Sequence, residues 1–211
     1  MSDDPCNLAQ ARSRDVERGR LLEYFTIVWN LLEAFVSLTA GIFSGSISLI
    51  GFGIDSLVET SSGAVLLWRL RTGEQGEKRE RTALRLVGAS FWALAAYVAY
   101  EAIRTLVTGE APESSYLGIA VAVLSLIVMP LLAGAKRRVA RRLNSAALVA
   151  DSRQTDLCAC LSGILLGGLT LNAALGWWWA DPVAALLMVP IIGREGLNAM
   201  RGRHCDSCCP A

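Results

Sequence analysis

The chain has 211 residues, 53% of them hydrophobic, with a mean hydropathy of +0.42 and a formal net charge of +1. Soluble domains hold about 45–50% apolar residues, so arrangement decides the class: the apolar residues come in blocks of about 20, enough to cross about 30 Å of hydrocarbon. That excludes a soluble domain, and it excludes a nucleic-acid module, because the basic residues flank hydrophobic blocks instead of forming an aromatic-interleaved patch.

Residues 1–20 form a polar leader with Arg12, Arg14, Arg18 and Arg20. It has no apolar core or small-residue cleavage site, so insertion is expected to use the first span itself. That span runs from about Leu21 to Phe43 and holds Asn30 and Glu33 on one side. Glu33 is open to three roles: a proton path, a secondary metal contact, or a partner for another helix. Ser44 and Gly45 make a tight turn into the second span, which ends near Leu70. A charged loop is expected over Arg71 to Arg85, then a third span to about Val107, where Glu101 and Arg104 form an i,i+3 pair at the interface. An acidic link with Pro112 leads to the fourth span, about Tyr116 to Ala135, which stops at the basic run Lys136-Arg137-Arg138 and Arg141-Arg142. The fifth helix extends from near Ser145 to about Leu175, and Trp177, Trp178 and Trp179 mark a water interface. The sixth span, Ala180 to Gly193, opens with Asp181 as its own N-cap and Pro182 in the first turn, and exits through Glu195 and Leu197. Pro130 and Pro190 are expected to kink their helices.

Of the 20 basic residues, all but Arg104 and Arg153 lie in the leader, between Arg69 and Arg85, in the run after the fourth span or beyond the sixth span. With six spans these segments share one side, and the positive-inside rule makes that side the cytoplasm. The expected fold is therefore all-α: a polytopic membrane protein with six transmembrane helices and both termini cytoplasmic. It divides into a leader over 1–20, a membrane domain over 21–200 and a Cys/His-rich tail over 201–211. No targeting signal directs it to an organelle, so an inner or plasma membrane is expected.

The second span carries Asp55 and Glu59 where a membrane helix can least afford them. Four residues amount to about 40° of rotation, so the two acids point the same way, one turn apart. A carboxylate at the bilayer centre costs roughly 2.5–3.5 kcal/mol, and two on one face repel. A bound cation or proton offsets this; protonated acids, or hydrogen bonds to Ser and Thr of neighbouring helices, are the alternatives. On the fifth helix Asp151, Gln154 and Cys158 fall within about 60° of one another, while Arg153 and Asp156 face away and are expected to neutralise each other. Facing Asp55 and Glu59, this stripe completes a site of mixed oxygen and sulfur donors; otherwise it is a polar contact between helices. In the tail, His204, Cys205, Cys208 and Cys209 suit a soft or borderline cation, for capture and hand-over of metal, with redox regulation or acylation as alternatives. Cys6 and Cys160 read as small hydrophobes.

The segment from Ser44 through Gly45, Asp55 and Glu59 resembles the second membrane helix of the cation diffusion facilitator (cation efflux) family. Ala150-Asp151 followed by Gln154 and Cys158 is similar to that family's Ala-Asp-x-x-His-x-x-x-Asp, and Ala180-Asp181-Pro182 resembles its Ala-Asp-Pro at the start of the sixth span. The resemblance implies a homodimeric divalent-cation exporter that exchanges Zn²⁺ or a similar ion for protons. Asp55 and Glu59 then occupy the ligand positions of the second helix, and Gln154 and Cys158 those of the fifth. Here Gln replaces the family's His and Cys its Asp. The resemblance is to a minimal, membrane-only branch, expected to lack the soluble metal-binding domain of many members. Desolvation and mutual repulsion disfavour ionised acids, so an empty site is expected to hold a proton that the metal displaces. An intramembrane hydrolase would need a nucleophile–base pair, and the one His lies in the tail, so no enzyme is expected. The runner-up is a non-transporting membrane metal sensor or chaperone that uses the tail.

Overall fold

Pro5–Ser44 wind into one helix, α1, of 40 residues. Proline is at home in a first turn, and the Ala, Arg, Glu and Leu that follow are good helix formers. The polar leader is therefore continuous with the first apolar block, and α1 is about 60 Å long, twice a hydrocarbon core. The computed structural model describes residues 5–72, 77–110, 112–143 and 145–201. After α1 come α2 (Ile47–Thr72), α3 (Glu77–Thr108), α4 (Tyr116–Leu143), α5 (Ala146–Leu175) and α6 (Ala180–Arg201).

Two expected boundaries move. The loop over Arg71 to Arg85 shrinks, because α2 reaches Thr72 and α3 begins at Glu77. Likewise α4 continues through the basic run to Leu143. Charged residues end an apolar block but not a helix: Glu, Lys and Arg are good helix formers. α4 and α6 also run on through Pro130 and Pro190, both at least partly exposed.

Polarity is distributed inside out. α1 buries Glu23, Thr26, Asn30, Glu33 and Ser37 at three- and four-residue spacing and exposes Leu21, Phe25, Val28, Leu32 and Phe35. Water would drive the reverse arrangement; only an apolar surrounding medium accommodates this one. Among the described residues, Ser13–Ser44, Tyr116–Leu143 and Asp151–Leu175 are long and apolar enough to cross a membrane. The molecule is an all-helical membrane protein.

α1 packs chiefly on α2, α4 on α5, and α3 on α6, while α2 also meets α3, α5 and α6. α3 and α6 cross closely at Gly88 and Gly196: a Cβ on Gly88 would stand 2.8 Å from the Gly196 carbonyl, and one on Gly196 3.0 Å from the Gly88 carbonyl. Three connections meet at one end of the bundle. The α1–α2 turn holds Gly45 at φ 69, and its Ser44 carbonyl accepts from the Glu113 N–H at 2.7 Å. Asn172 donates to the Pro112 carbonyl at 3.1 Å. Trp177 and Trp179 stack at 5.1 Å in the α5–α6 turn.

Asp181 departs from its expected role. It lies in the first turn of α6, yet its carboxylate accepts from Ser46 Oγ (2.6 Å), from the backbone N–H of Ile47 (3.0 Å) and from the Ser48 hydroxyl. It therefore caps α2 rather than its own helix. The buried amino end of α2 has orphan N–H groups and a positive dipole end, and a carboxylate from a neighbour satisfies both. Asp181→Ala is expected to destabilise the bundle by about 1.5–3 kcal/mol, the range for hydrogen bonds to a charged group. Thermal unfolding in detergent checks this; an unchanged midpoint would show that the cap carries no weight.

Candidate cation site

The interior where α1, α2, α4 and α5 meet holds a chain of buried charges. Lys136 is wholly buried, and its Nζ donates to Glu23 Oε2 at 3.2 Å, to Asp151 Oδ2, and to Thr155 Oγ1 at 3.5 Å. Thr155 in turn donates to Glu59 Oε1 at 2.8 Å. Four helices thus contribute to one network. In each of its acids one oxygen is held and the other, Glu23 Oε1, Asp151 Oδ1 or Glu59 Oε2, is buried without a hydrogen-bond partner.

Deeper along α1 and α5 lies a second group. Glu33 Oε2 accepts from Ser56 Oγ at 2.8 Å and lies 3.8 Å from the Cys158 thiol, while Ser162 donates to Ser125 at 2.9 Å beside it. A third group sits where α2, α3, α5 and α6 meet: Asp55 and Gln154 line a small pocket with Glu195, Phe91 and Leu157. Asp55 and Glu59 stand one turn apart on α2, as Gln154 and Cys158 do on α5, so the groups adjoin.

The acids on α2 both look toward α5, Glu59 through Thr155 and Asp55 through the pocket shared with Gln154. Cys158 meets Glu33, and Asp151 meets Lys136. Among the described residues, no three His, Cys, Asp or Glu side chains converge tightly enough to hold a metal ion. His204, Cys205, Cys208 and Cys209 lie outside the described residues. Glu101 and Arg104 do pair, at 3.2 Å. Asp156, expected to meet Arg153, pairs instead with Arg137 across the α4–α5 interface at 2.5 Å.

Lys136 corrects the sequence reading most. In the sequence it belongs to the basic run that ends the fourth span, yet it points into the bundle. A signal for this exists: Lys136 continues the spacing of Gly118, Ala122, Ser125, Met129, Leu132 and Ala133, the buried face of α4. Glu23 is found the same way, one step before Thr26 on the buried stripe of α1. Glu195 follows the same rule, three residues after Ile192 on the face of α6 that buries Ala185 and Met188, and it lines the pocket with Asp55.

A family model described as the cation efflux transmembrane domain matches residues 24–201. An uncharacterised transporter of Methanocaldococcus jannaschii is 27% identical over 88% of this chain and 67% of its own length. One of Synechocystis is 30% identical over 68% of this chain and 49% of its own. The cation-efflux pump FieF of Shewanella oneidensis is 24% identical over 77% of this chain and 58% of its own. The chain spans about half to two thirds of the length of these curated relatives.

Breaking the buried ion network has a foreseeable cost. Lys136→Met leaves Glu23 and Asp151 facing each other without a counter-charge and is expected to destabilise the protein by about 3–5 kcal/mol. Neutralising both acids as well, with Glu23→Gln and Asp151→Asn, should recover most of that loss. Denaturation in detergent of the single and triple variants decides; equal stabilities of all three proteins would mean that the network is not charged.

Proposed function

The chain belongs to the cation efflux family, and from this we propose that it exports a divalent metal cation from the cytoplasm, Zn²⁺ foremost, in exchange for protons. The observation that carries the reading is the charge imbalance of the interior. Glu23, Glu33, Asp55, Glu59 and Asp151 are all buried, and Lys136 is the one buried lysine or arginine among the described residues. A carboxylate out of water stays charged only when a cation faces it, so a metal ion and protons compete for the same oxygens. Such competition is what exchange requires.

In this reading Asp55, Glu59, Gln154 and Cys158 bind the ion as α2 and α5 close on it, and Asp151 holds Lys136 beside them. The donors are oxygen with one thiol, suited to Zn²⁺, Cd²⁺, Fe²⁺ or Mn²⁺. Six crossings with both termini in the cytoplasm fit the alternation of the helices, whose α1–α2, α3–α4 and α5–α6 connections share one end. The exposed apolar faces leave room for a second copy, and we assign the working unit as a homodimer. Alternating access would rock α1, α2, α4 and α5 against the α3–α6 pair, which packs chiefly on itself. The Cys-rich tail would capture metal on the cytoplasmic side.

Metal uptake into inside-out vesicles tests this. Wild type should accumulate Zn²⁺, faster with an acidic lumen, and a protonophore should abolish the acceleration. Asp55→Ala should lower uptake at least about tenfold, a loss of roughly 1.4 kcal/mol of cation binding. Uptake indifferent to both the gradient and the protonophore would remove proton exchange. Absence of uptake of any divalent ion, with metal still bound through the tail, would favour a sensor or chaperone.

A further inference from the structure

Glu33 lies on the first helix, between the ends of the buried polar stripe of α1, and is 3% exposed. One of its oxygens is committed: Oε2 accepts from Ser56 of α2 and faces the thiol of Cys158 of α5 at 3.8 Å. The carboxylate is thereby fixed at the junction of α1, α2 and α5. Its other oxygen, Oε1, is buried without a hydrogen-bond partner. Asn30, three residues earlier on the same stripe, is 0% exposed and leaves both its amide nitrogen and its amide oxygen unpartnered.

Such groups are costly to bury unmatched, and their repetition along one face points to an occupant rather than to a packing accident. An ionised Glu33 calls for a cationic occupant. Ser56 can donate one proton to the carboxylate but cannot offset its charge, and Lys136 bonds Glu23, Asp151 and Thr155 instead. Cys158 as a thiol lends only a weak donor, whereas as a metal-bound thiolate it would need positive charge close by. Glu59 offers the matching arrangement on α2: Thr155 holds Oε1 and leaves Oε2 free. Two carboxylates are thus each oriented by a hydroxyl with one oxygen left free, Glu33 beside the sulfur of Cys158 and Glu59 beside Thr155, one turn before it on α5.

We propose that Glu33 is a direct ligand of the transported divalent cation and shares that ion with Cys158 and Glu59, so that α1 as well as α2 and α5 forms the cation site. The proposal rests on the export reading above and adds a ligand to it. Zn–S and Zn–O distances are about 2.3 and 2.0–2.2 Å, so a sulfur and an oxygen bound to one ion stand close to the 3.8 Å that separates Cys158 from Glu33, and closure of α2 on the junction would bring Glu59 to the same ion. The mixture also sets a preference. A set of two carboxylate oxygens and a thiolate accepts both hard and soft divalent ions, and removal of one oxygen leaves a set that disfavours the harder ones.

The test has two arms on the full chain. In the first, the other five cysteines are replaced by serine, so that the ultraviolet charge-transfer band raised by Cd²⁺ on a thiolate reports Cys158 alone. Glu33→Gln should weaken Cd²⁺ binding at least about tenfold, a factor worth roughly 1.4 kcal/mol, and Glu33→Asp should fall between. In the second, uptake of Mn²⁺ and Cd²⁺ into inside-out vesicles is compared. Glu33→Gln should lower Mn²⁺ uptake several-fold more than Cd²⁺ uptake, whereas a folding defect lowers both alike. A Glu33→Gln titration that matches its parent, or a Mn²⁺-to-Cd²⁺ ratio that does not move, overturns the assignment. Uptake by wild type that Asp55→Ala abolishes keeps the export reading standing in that event, and if wild type transports nothing, the Cd²⁺ titration alone decides Glu33.

Discussion

The bond from Lys136 to Asp151 and Glu23 is the constraint on which the interior depends. A lysine taken wholly out of water is costly, and here it is kept by two carboxylates from two other helices. In a medium of low dielectric constant such attractions are far stronger than at a surface, so α1, α4 and α5 are held in register at the level of Glu23, Lys136 and Asp151. Through Thr155 the same ammonium group also fixes one oxygen of Glu59 on α2. A single positive charge thereby orients acids on three helices and leaves one oxygen of each unused.

The opposite end of the bundle is tied by neutral means and by one capping acid. The turn between α1 and α2, the link between α3 and α4 and the carboxyl end of α5 are joined by hydrogen bonds from Glu113 and Asn172. Asp181 locks the start of α6 to the start of α2. Between the two ends the stripe on α1 and the facing residues of α5 leave a polar interior inside an apolar exterior. The surrounding hydrocarbon rewards exposure of Phe25, Val28 and Phe35 and leaves Glu33 and Asn30 nowhere to go but inward.

The chemistry of that interior is softer than a site made of carboxylates and imidazoles would be. Gln154 brings an amide that carries no charge at any pH, and Cys158 brings sulfur among oxygens. In the exchange proposed above, protons and metal ions therefore trade places on the acids, and the proposed selectivity between metals rests on how many oxygens accompany the thiol. Position matters as much as identity: Gln154 sits with Asp55 beside α6, while Cys158 sits with Glu33 beside α1. Residues one turn apart on one helix thus serve two neighbouring polar groups.

Sequence by itself determined the elements and their medium. The apolar blocks, the Ser44-Gly45 turn, the basic flanks and the acids of the second span are local features, and the length of an apolar run or the spacing of two acids needs no partner to be read. The acids of α2 and the polar stripe of α5 were legible for that reason, as was the Glu101–Arg104 pair. Helix ends were less so, because a charged residue stops an apolar block while favouring the helix, and α3 and α4 ran past their expected limits. Only tertiary structure decided who meets whom. Lys136 reads as a flanking charge until α1 and α5 bring Glu23 and Asp151 to it; Asp181 reads as a cap for its own helix until α2 places three donors nearer; Asp156 takes Arg137 rather than Arg153. The physical reason is common to all three: a buried charge takes the counter-charge or the donors that packing sets beside it, and packing joins residues far apart in the chain.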